Sequence, residues 1–294
     1  MKTSSMVIAL LVLALLFSSA LCSGDTSTSG VSAAVSAEAA EASETQSEAA
    51  ESSTEAQAPA EAQASTDAQE SAEGELPPFI VEMLNPTIPE VREGVKHVAC
   101  VGDSITWGAG VIIPDMNFGA TYPVFLEAEL GEGYQVLNYG MGGRTLLKEG
   151  DDPYVEENFY EISHDVGADI YVIMLGTNDS KPYNWNADLY REELEAFVRS
   201  YMELSNGPKI YLMTPPRAFV VDGAETIQYD IQNDVINDEV RPIVKEVAEL
   251  LGVNLIDMYE ATEDHPEWFP DGVHPDAAGN QEFAKIVAAH LDLN

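Results

Sequence analysis

Basic residues are scarce in this chain of 294 residues: 13 Lys and Arg stand against 51 Asp and Glu, a formal charge of −38. A nucleic-acid binder needs a basic footprint to displace counterions from phosphates, and a polybasic membrane patch needs the same, so both are excluded. Cysteine is scarce too. Cys22 and Cys100 together cannot build a disulfide-stapled scaffold or a four-thiolate zinc site. No apolar run approaches the ~20 residues of a membrane-spanning helix. Aromatic residues, Lys and Arg are all missing between positions 23 and 76.

What is present divides the chain into three. Residues 1–22 read as a signal peptide: Lys2 supplies the positive start, the apolar run Met6–Phe17 comes next, and small residues close it at Ser18–Ala20. Two processing outcomes fit. One is cleavage near Ala20–Ser23; the other is lipidation of Cys22, as in a bacterial lipoprotein, although Leu21 stands where such signals prefer Gly or Ala. Both imply an extracellular protein of a bacterial-type envelope, secreted or anchored at the membrane through Cys22. Residues 23–76 are rich in Ser, Ala and Glu, and their apolar content is nearly all alanine. That cannot offset chain entropy, so a disordered acidic linker is expected. It suits an extended spacer or a merely solvating tail. Less than a third of the net negative charge lies there, so the remainder is acidic in its own right.

Residues 77–294 have the composition and size of one folded domain. Short β-rich runs at His97–Val101, Tyr134–Tyr139, Ile170–Leu175, Lys209–Thr214 and Val253–Asp257 alternate with amphipathic stretches near Tyr122–Leu130, Tyr154–His164, Asp188–Ser205, Ile231–Leu251 and Asp276–Leu291. The alternation predicts an α/β fold, a three-layer α/β/α sandwich around a mostly parallel five-stranded sheet. Such sheets bind ligands at the carboxyl ends of their strands.

Four strand ends carry polar residues of catalytic type. Val98–Val101 runs into Gly102-Asp103-Ser104, where Ser104 is either a turn-capping residue or an exposed hydroxyl. Asp271 precedes His274 by three residues on a glycine-bearing loop. The carboxylate can bond the imidazole Nδ1 and leave Nε2 to take a proton from a serine, or the pair merely stabilises a loop or forms half of a metal site. Metal is disfavoured because His97, His164, His265 and His290 are not in ligand-like spacing with it. The strand ending at Tyr139 leads into Gly140-Met141-Gly142-Gly143, and the one ending at Leu175 leads into Gly176-Thr177-Asn178-Asp179. A glycine N–H and an Asn amide are suitable donors to an oxyanion, though a tight turn and a cap are the plainer readings.

Together the blocks VGDSITWGAG, NYGMGGRTLL, GTND and DGVHPDAAGN, in this order, resemble the SGNH (GDSL-type) hydrolases, from about His97 to Leu291. The spelling of the first and last blocks is most similar to carbohydrate O-acetylesterases of that family. The resemblance implies a flavodoxin-like fold, with Ser104 as nucleophile, His274 as general base and Asp271 as its orienting carboxylate. It implies an oxyanion hole made by the Ser104 N–H, Gly143 and Asn178, and no metal or organic cofactor. No G-x-S-x-G elbow surrounds Ser104, which disfavours the ordinary α/β-hydrolase reading.

The expected substrate is an acetylated oligo- or polysaccharide, a neutral hemicellulose such as xylan or mannan suiting an acidic enzyme better than a polyanion. Trp107, Trp185 and Trp268 lie near the blocks in sequence and are candidate sugar platforms, or packing residues; Arg217 is a candidate polar contact, or a surface ion pair. Cys100, inside the first strand, reads as a small buried hydrophobe. The competing readings are a lysophospholipase or thioesterase, which needs an apolar acyl groove, and an inactive surface carbohydrate-binding protein. No protein partner is inferable.

Overall fold

Five apolar runs become the strands β1 (Lys96–Gly102), β2 (Tyr134–Gly140), β3 (Ile170–Met174), β4 (Lys209–Met213) and β5 (Asn254–Ile256). The computed structural model describes residues 78–293. The signal segment with Cys22 and the linker through residue 76 lie outside the described residues. The strands pair in the order β2-β1-β3-β4-β5, all parallel, so the expected mostly parallel sheet is parallel throughout. β3 is buried at every position, as a strand covered on both faces must be.

Alternate side chains of the strands serve two cores. Ala99, Val101, Leu137, Tyr139, Tyr171 and Ile173 pack with Leu194, Phe197, Val198, Val244 and Val247. Val98, Cys100, Val172, Met174, Tyr211 and Met213 pack with Tyr122, Leu126, Phe283 and Val287. Fully burying one such side chain contributes about 1.5–3 kcal/mol. Cys100 is a free, fully buried thiol, and that burial pushes it up to about 12.

The helices that flank the sheet or support its carboxyl edge are α1 (Ser104–Trp107), α2 (Tyr122–Leu130), α3 (Asn158–Asp165), α4 (Ala187–Met202), α5 (Arg241–Leu251) and α6 (Ala277–His290). α4 illustrates the local logic. The Asn186 side chain caps it by accepting from Leu189 N–H, Asp188 stands in its first turn and Arg199 in its last. Its buried residues, Tyr190, Leu194, Phe197, Val198 and Tyr201, fall at helical spacing on one stripe.

Two expected helices are interrupted. In the stretch expected over Tyr154–His164, a 3₁₀ turn at Tyr154–Glu156 stops at an extended Glu157 (φ −95°, ψ 150°) before α3 begins. In the stretch expected over Ile231–Leu251, Ile231 is extended, helix starts at Asn233, and a π turn at Ile236–Val240 precedes α5.

The strand order places a switch point beside β1. The chain steps from β1 to β2 on one side, then crosses to β3 on the other. Gly102 pairs with Gly140 and with Met174, so three strands end side by side. The crevice beyond those ends is where this topology accommodates a ligand.

Candidate active site

Close backbone approach puts Ser104 at the edge of the sheet. A side chain on Gly102 would strike Thr106 and the Met174 carbonyl, and one on Gly140 would strike the backbone of Trp107. These two glycines let the chain turn at once from β1 into α1, packed against the neighbouring strand. Asp103 caps that turn, its Oδ1 accepting from the Ile105 N–H at 2.9 Å. Gly108, at φ 103°, ends it, donating to the Ser104 carbonyl at 2.9 Å. Ser104 is therefore the first residue of a helix, where the backbone N–H has no partner within the helix.

Its hydroxyl meets a histidine from the far end of the chain. Ser104 Oγ lies 2.9 Å from His274 Nε2, and His274 Nδ1 lies 2.7 Å from Asp271 Oδ2. Asp271 Oδ1 accepts from the N–H groups of Val273 and His274 at 2.9 and 2.7 Å, so the carboxylate is held at both oxygens. Burial alone would raise the Asp271 carboxyl. The hydrogen bond and charge of His274 and the two backbone donors outweigh it and hold the group at about 2. An ionised Asp271 fixes the Nδ1–H tautomer, which leaves Nε2 as an acceptor for the serine proton. The loop is anchored from behind: Asn280 Nδ2 donates to the carbonyls of Pro275 and Asp276, and Asn280 Oδ1 accepts from the Tyr122 N–H at 2.8 Å.

The loops after β2 and β3 are joined to each other. Gly143 adopts φ 82°, a conformation that favours glycine. Asn178 Nδ2 donates to the Arg144 carbonyl at 3.1 Å, leaving its second amide hydrogen for another acceptor. Asp179, fully buried, accepts from the N–H groups of Leu146 and Leu147 at 3.0 and 2.8 Å. Arg144 closes the glycine loop by donating to the Gly142 carbonyl at 2.7 Å and pairing with Glu157 at 2.7 Å. Among the described residues, the N–H groups of Ser104 and Gly143 have no acceptor, as free oxyanion donors must.

Two further carboxyls here are governed by burial. Desolvation pushes Asp103 up to about 6 and Asp179 up to about 7, against the pull of their backbone donors, and the charge of Asp103 adds to the rise at Asp179. Asp103 Oδ2 is buried without a hydrogen-bond partner.

The structure thus gathers Ser104, His274 and Asp271 into one hydrogen-bonded chain and ends the Gly143 and Asn178 strands beside it. The candidate sugar contacts fare differently. Trp107 is 4% exposed, enclosed with Ala109, Val111, Ile112 and Ala120, so it is a core residue with no face to offer a sugar. Trp185 donates from Nε1 to Glu239 and packs on Tyr190. Trp268 has one face covered by the parallel ring of His265, 3.9 Å away. Arg217 donates to the Glu263 carbonyl at 3.1 Å and lies over the Phe219 ring, a bracing contact in place of the surface ion pair.

Asp103, Asp179 and Tyr229 escaped the sequence reading. The signal for the two acids was available, since each stands in a spelled block just after a buried strand, where a carboxylate needs a partner. Tyr229, which donates to Asp271 Oδ2 at 3.2 Å from 42 residues away, gave none. Among the described residues, no group of three or more His, Cys, Asp or Glu is arranged to hold a metal ion.

Comparison with known proteins addresses family and fold. The profile of the GDSL-like lipase/acylhydrolase family matches residues 100–282, more than half of the chain. An acetylxylan esterase of Xylanibacter ruminicola is 36% identical over 224 residues, which are 70% of this chain and 45% of that protein. The chain thus spans under half the length of that relative. Among solved structures, a carbohydrate acetylesterase family member from Sinorhizobium meliloti superposes with a TM-score of 0.53 at 23% identity, over 66% of this chain and 96% of that one. A lipase/acylhydrolase from Enterococcus faecalis gives 0.51 at 22%, over 66% and 94%. At these identities the two structures establish the fold alone.

Proposed function

Because the chain belongs to the GDSL-like lipase/acylhydrolase family, we propose that it is an exported serine esterase that removes O-acetyl groups from carbohydrates through an acyl-enzyme. The observation that carries this reading is the Ser104–His274–Asp271 chain, with contacts of 2.9 and 2.7 Å, at the carboxyl edge of a parallel sheet. With His274 as base, Ser104 attacks the acetyl carbonyl. The N–H groups of Ser104 and Gly143 and the Asn178 amide receive the oxyanion, and His274 protonates the departing sugar hydroxyl. Water activated by the same imidazole then releases acetate.

The substrate class rests on three supports. The acetylxylan esterase relative supplies the acetylated polysaccharide. Ser104, His274 and Asn178 are only 9, 8 and 6% exposed, which suits a small acyl group. The net charge of −38 favours neutral xylan or mannan over pectin or sialoglycan. The N-terminal segment supports secretion, or anchoring at the cell surface through a lipidated Cys22.

The test is to incubate the protein with acetylated xylan, mannan, pectin and sialoglycan, and with lysophospholipid, and to measure acetate and fatty acid released. Acetate from xylan or mannan is expected. Fatty acid alone would make the protein a lysophospholipase. Glycan binding with no turnover of any ester, or full p-nitrophenyl acetate turnover by Ser104→Ala, would sink the esterase reading.

A further inference from the structure

The connection from β4 to α5 reaches both sides of the candidate site. Its Phe219 N–H donates to the Gly272 carbonyl at 2.8 Å, beside Asp271, and its Gln232 N–H donates to Ser180 Oγ at 3.1 Å, beside Asn178. Between these anchors stand Tyr229 and Asp230, both at positive φ (61° and 60°). Two successive non-glycine residues in the left-handed region are costly, and for a bulky Tyr the conformation is an outlier. Such strain persists where surrounding contacts over-determine it, and functional sites are where it collects.

What the strain achieves is the placement of one ring. The Tyr229 hydroxyl bonds Asp271 Oδ2, and its ring meets the His274 ring at 5.2 Å and 65°. Yet Tyr229 is 44% exposed, so an aromatic side chain is pinned against the His–Asp pair with much of its surface left to solvent. The other strongly exposed tyrosine, Tyr183, is 61% exposed and lies near Lys181 rather than the His–Asp pair. In the proposed deacetylation, the leaving alcohol receives its proton from His274 Nε2, and must therefore depart beside that imidazole.

We propose that Tyr229 is the aromatic platform for the departing sugar, held beside His274 by its doubly anchored loop and bonded through its hydroxyl to Asp271; this rests on the O-acetylesterase reading. This platform stands on a different loop from Trp107, Trp185 and Trp268, which the sequence offered as sugar platforms or packing residues. A pyranose presents an apolar face of C–H groups that packs on an aromatic ring, whereas a short alkyl alcohol has no such face.

Wild type, Tyr229→Phe and Tyr229→Ala are assayed on an acetylated xylo-oligosaccharide and on ethyl acetate, with thermal melts to verify folding. Tyr229→Ala raises KM for the oligosaccharide by about tenfold and for ethyl acetate by less than about twofold. Its kcat falls by one common factor on both substrates, because Asp271 loses a donor in either case. Tyr229→Phe keeps the ring and holds the oligosaccharide KM within about twofold of wild type. An oligosaccharide KM in Tyr229→Ala that is unchanged, or that moves in step with ethyl acetate, overturns the platform. Failure of the wild type to release acetate from either substrate overturns the esterase reading itself.

Discussion

Asp271 and Asp179 each accept two backbone N–H groups near the same crevice, yet their carboxyls are displaced in opposite directions, to about 2 and about 7. The difference is the third partner. Asp271 faces an imidazole, keeps a side chain 28% exposed, and is ionised at any working pH. Asp179 has no cation in hydrogen bond and is wholly enclosed, so desolvation outweighs its donors. One edge of the sheet thus holds a carboxylate kept charged beside an imidazole and another whose ionisation is opposed by burial while it clamps two loops. The Asp271 carboxylate is partly open to solvent; the Asp179 carboxylate on the strand-end side is fully buried.

That contrast predicts that activity and stability separate. The largest effect belongs to Ser104→Ala and His274→Ala, each expected to lower kcat by about 10⁵–10⁶-fold, with the double variant little worse than either, because such residues act as a unit. Steady-state kinetics beside a melting curve checks this; losses that multiply would break it. Next comes Asp271→Asn, which keeps the shape and removes the charge that selects the tautomer, and should cost about 10⁴ in kcat. Asn178→Ala should cost roughly 10²–10³ in kcat, and an unchanged kcat would remove it from the oxyanion site.

The smallest effect is on pH-dependent stability. From about pH 4 up to about 6 for Asp103 and about 7 for Asp179, the folded protein holds protons that the unfolded chain has released, so their contribution to stability is lost as pH rises. Asp271 works in the other direction: its contribution is present above about pH 4 and lost as pH falls through about 2. Denaturant unfolding between pH 4 and 8 should therefore slope less steeply in Asp179→Asn than in wild type. Parallel slopes would mean that Asp179 is ionised throughout that range.

The strands were legible because parallel strands covered on both faces read as unbroken apolar runs, and all five lie within two residues of their expected bounds. α2 matches its expected span outright. The helix expected from Ile231 began too early because backbone torsions at Tyr229 and Asp230, set by distant contacts, hold the chain extended into Gln232. Ser104, Gly143 and Asn178 stood out because each follows a strand in a spelled block, and Asp271 and His274 because they share the spelled block on the loop before α6. Trp107 misled because nearness in sequence does not say which way a side chain turns; three residues after Ser104, it turns inward. Tyr229 is the converse, close to the site only through tertiary structure.

The Asn280 bracket has a consequence for how this protein is made. The Ser104 side of the candidate site is complete in sequence after Asn178, but the imidazole that meets the Ser104 hydroxyl, the base of the proposed mechanism, lies 170 residues beyond it. That base is moored by an asparagine in α6, whose Oδ1 must find the amide of Tyr122, 158 residues earlier. A chain still emerging from the ribosome therefore carries a serine with no partner to activate it. On the proposed mechanism, a chain cut short before Asn280 lacks the mooring of the His274 loop and is expected to release no acetate.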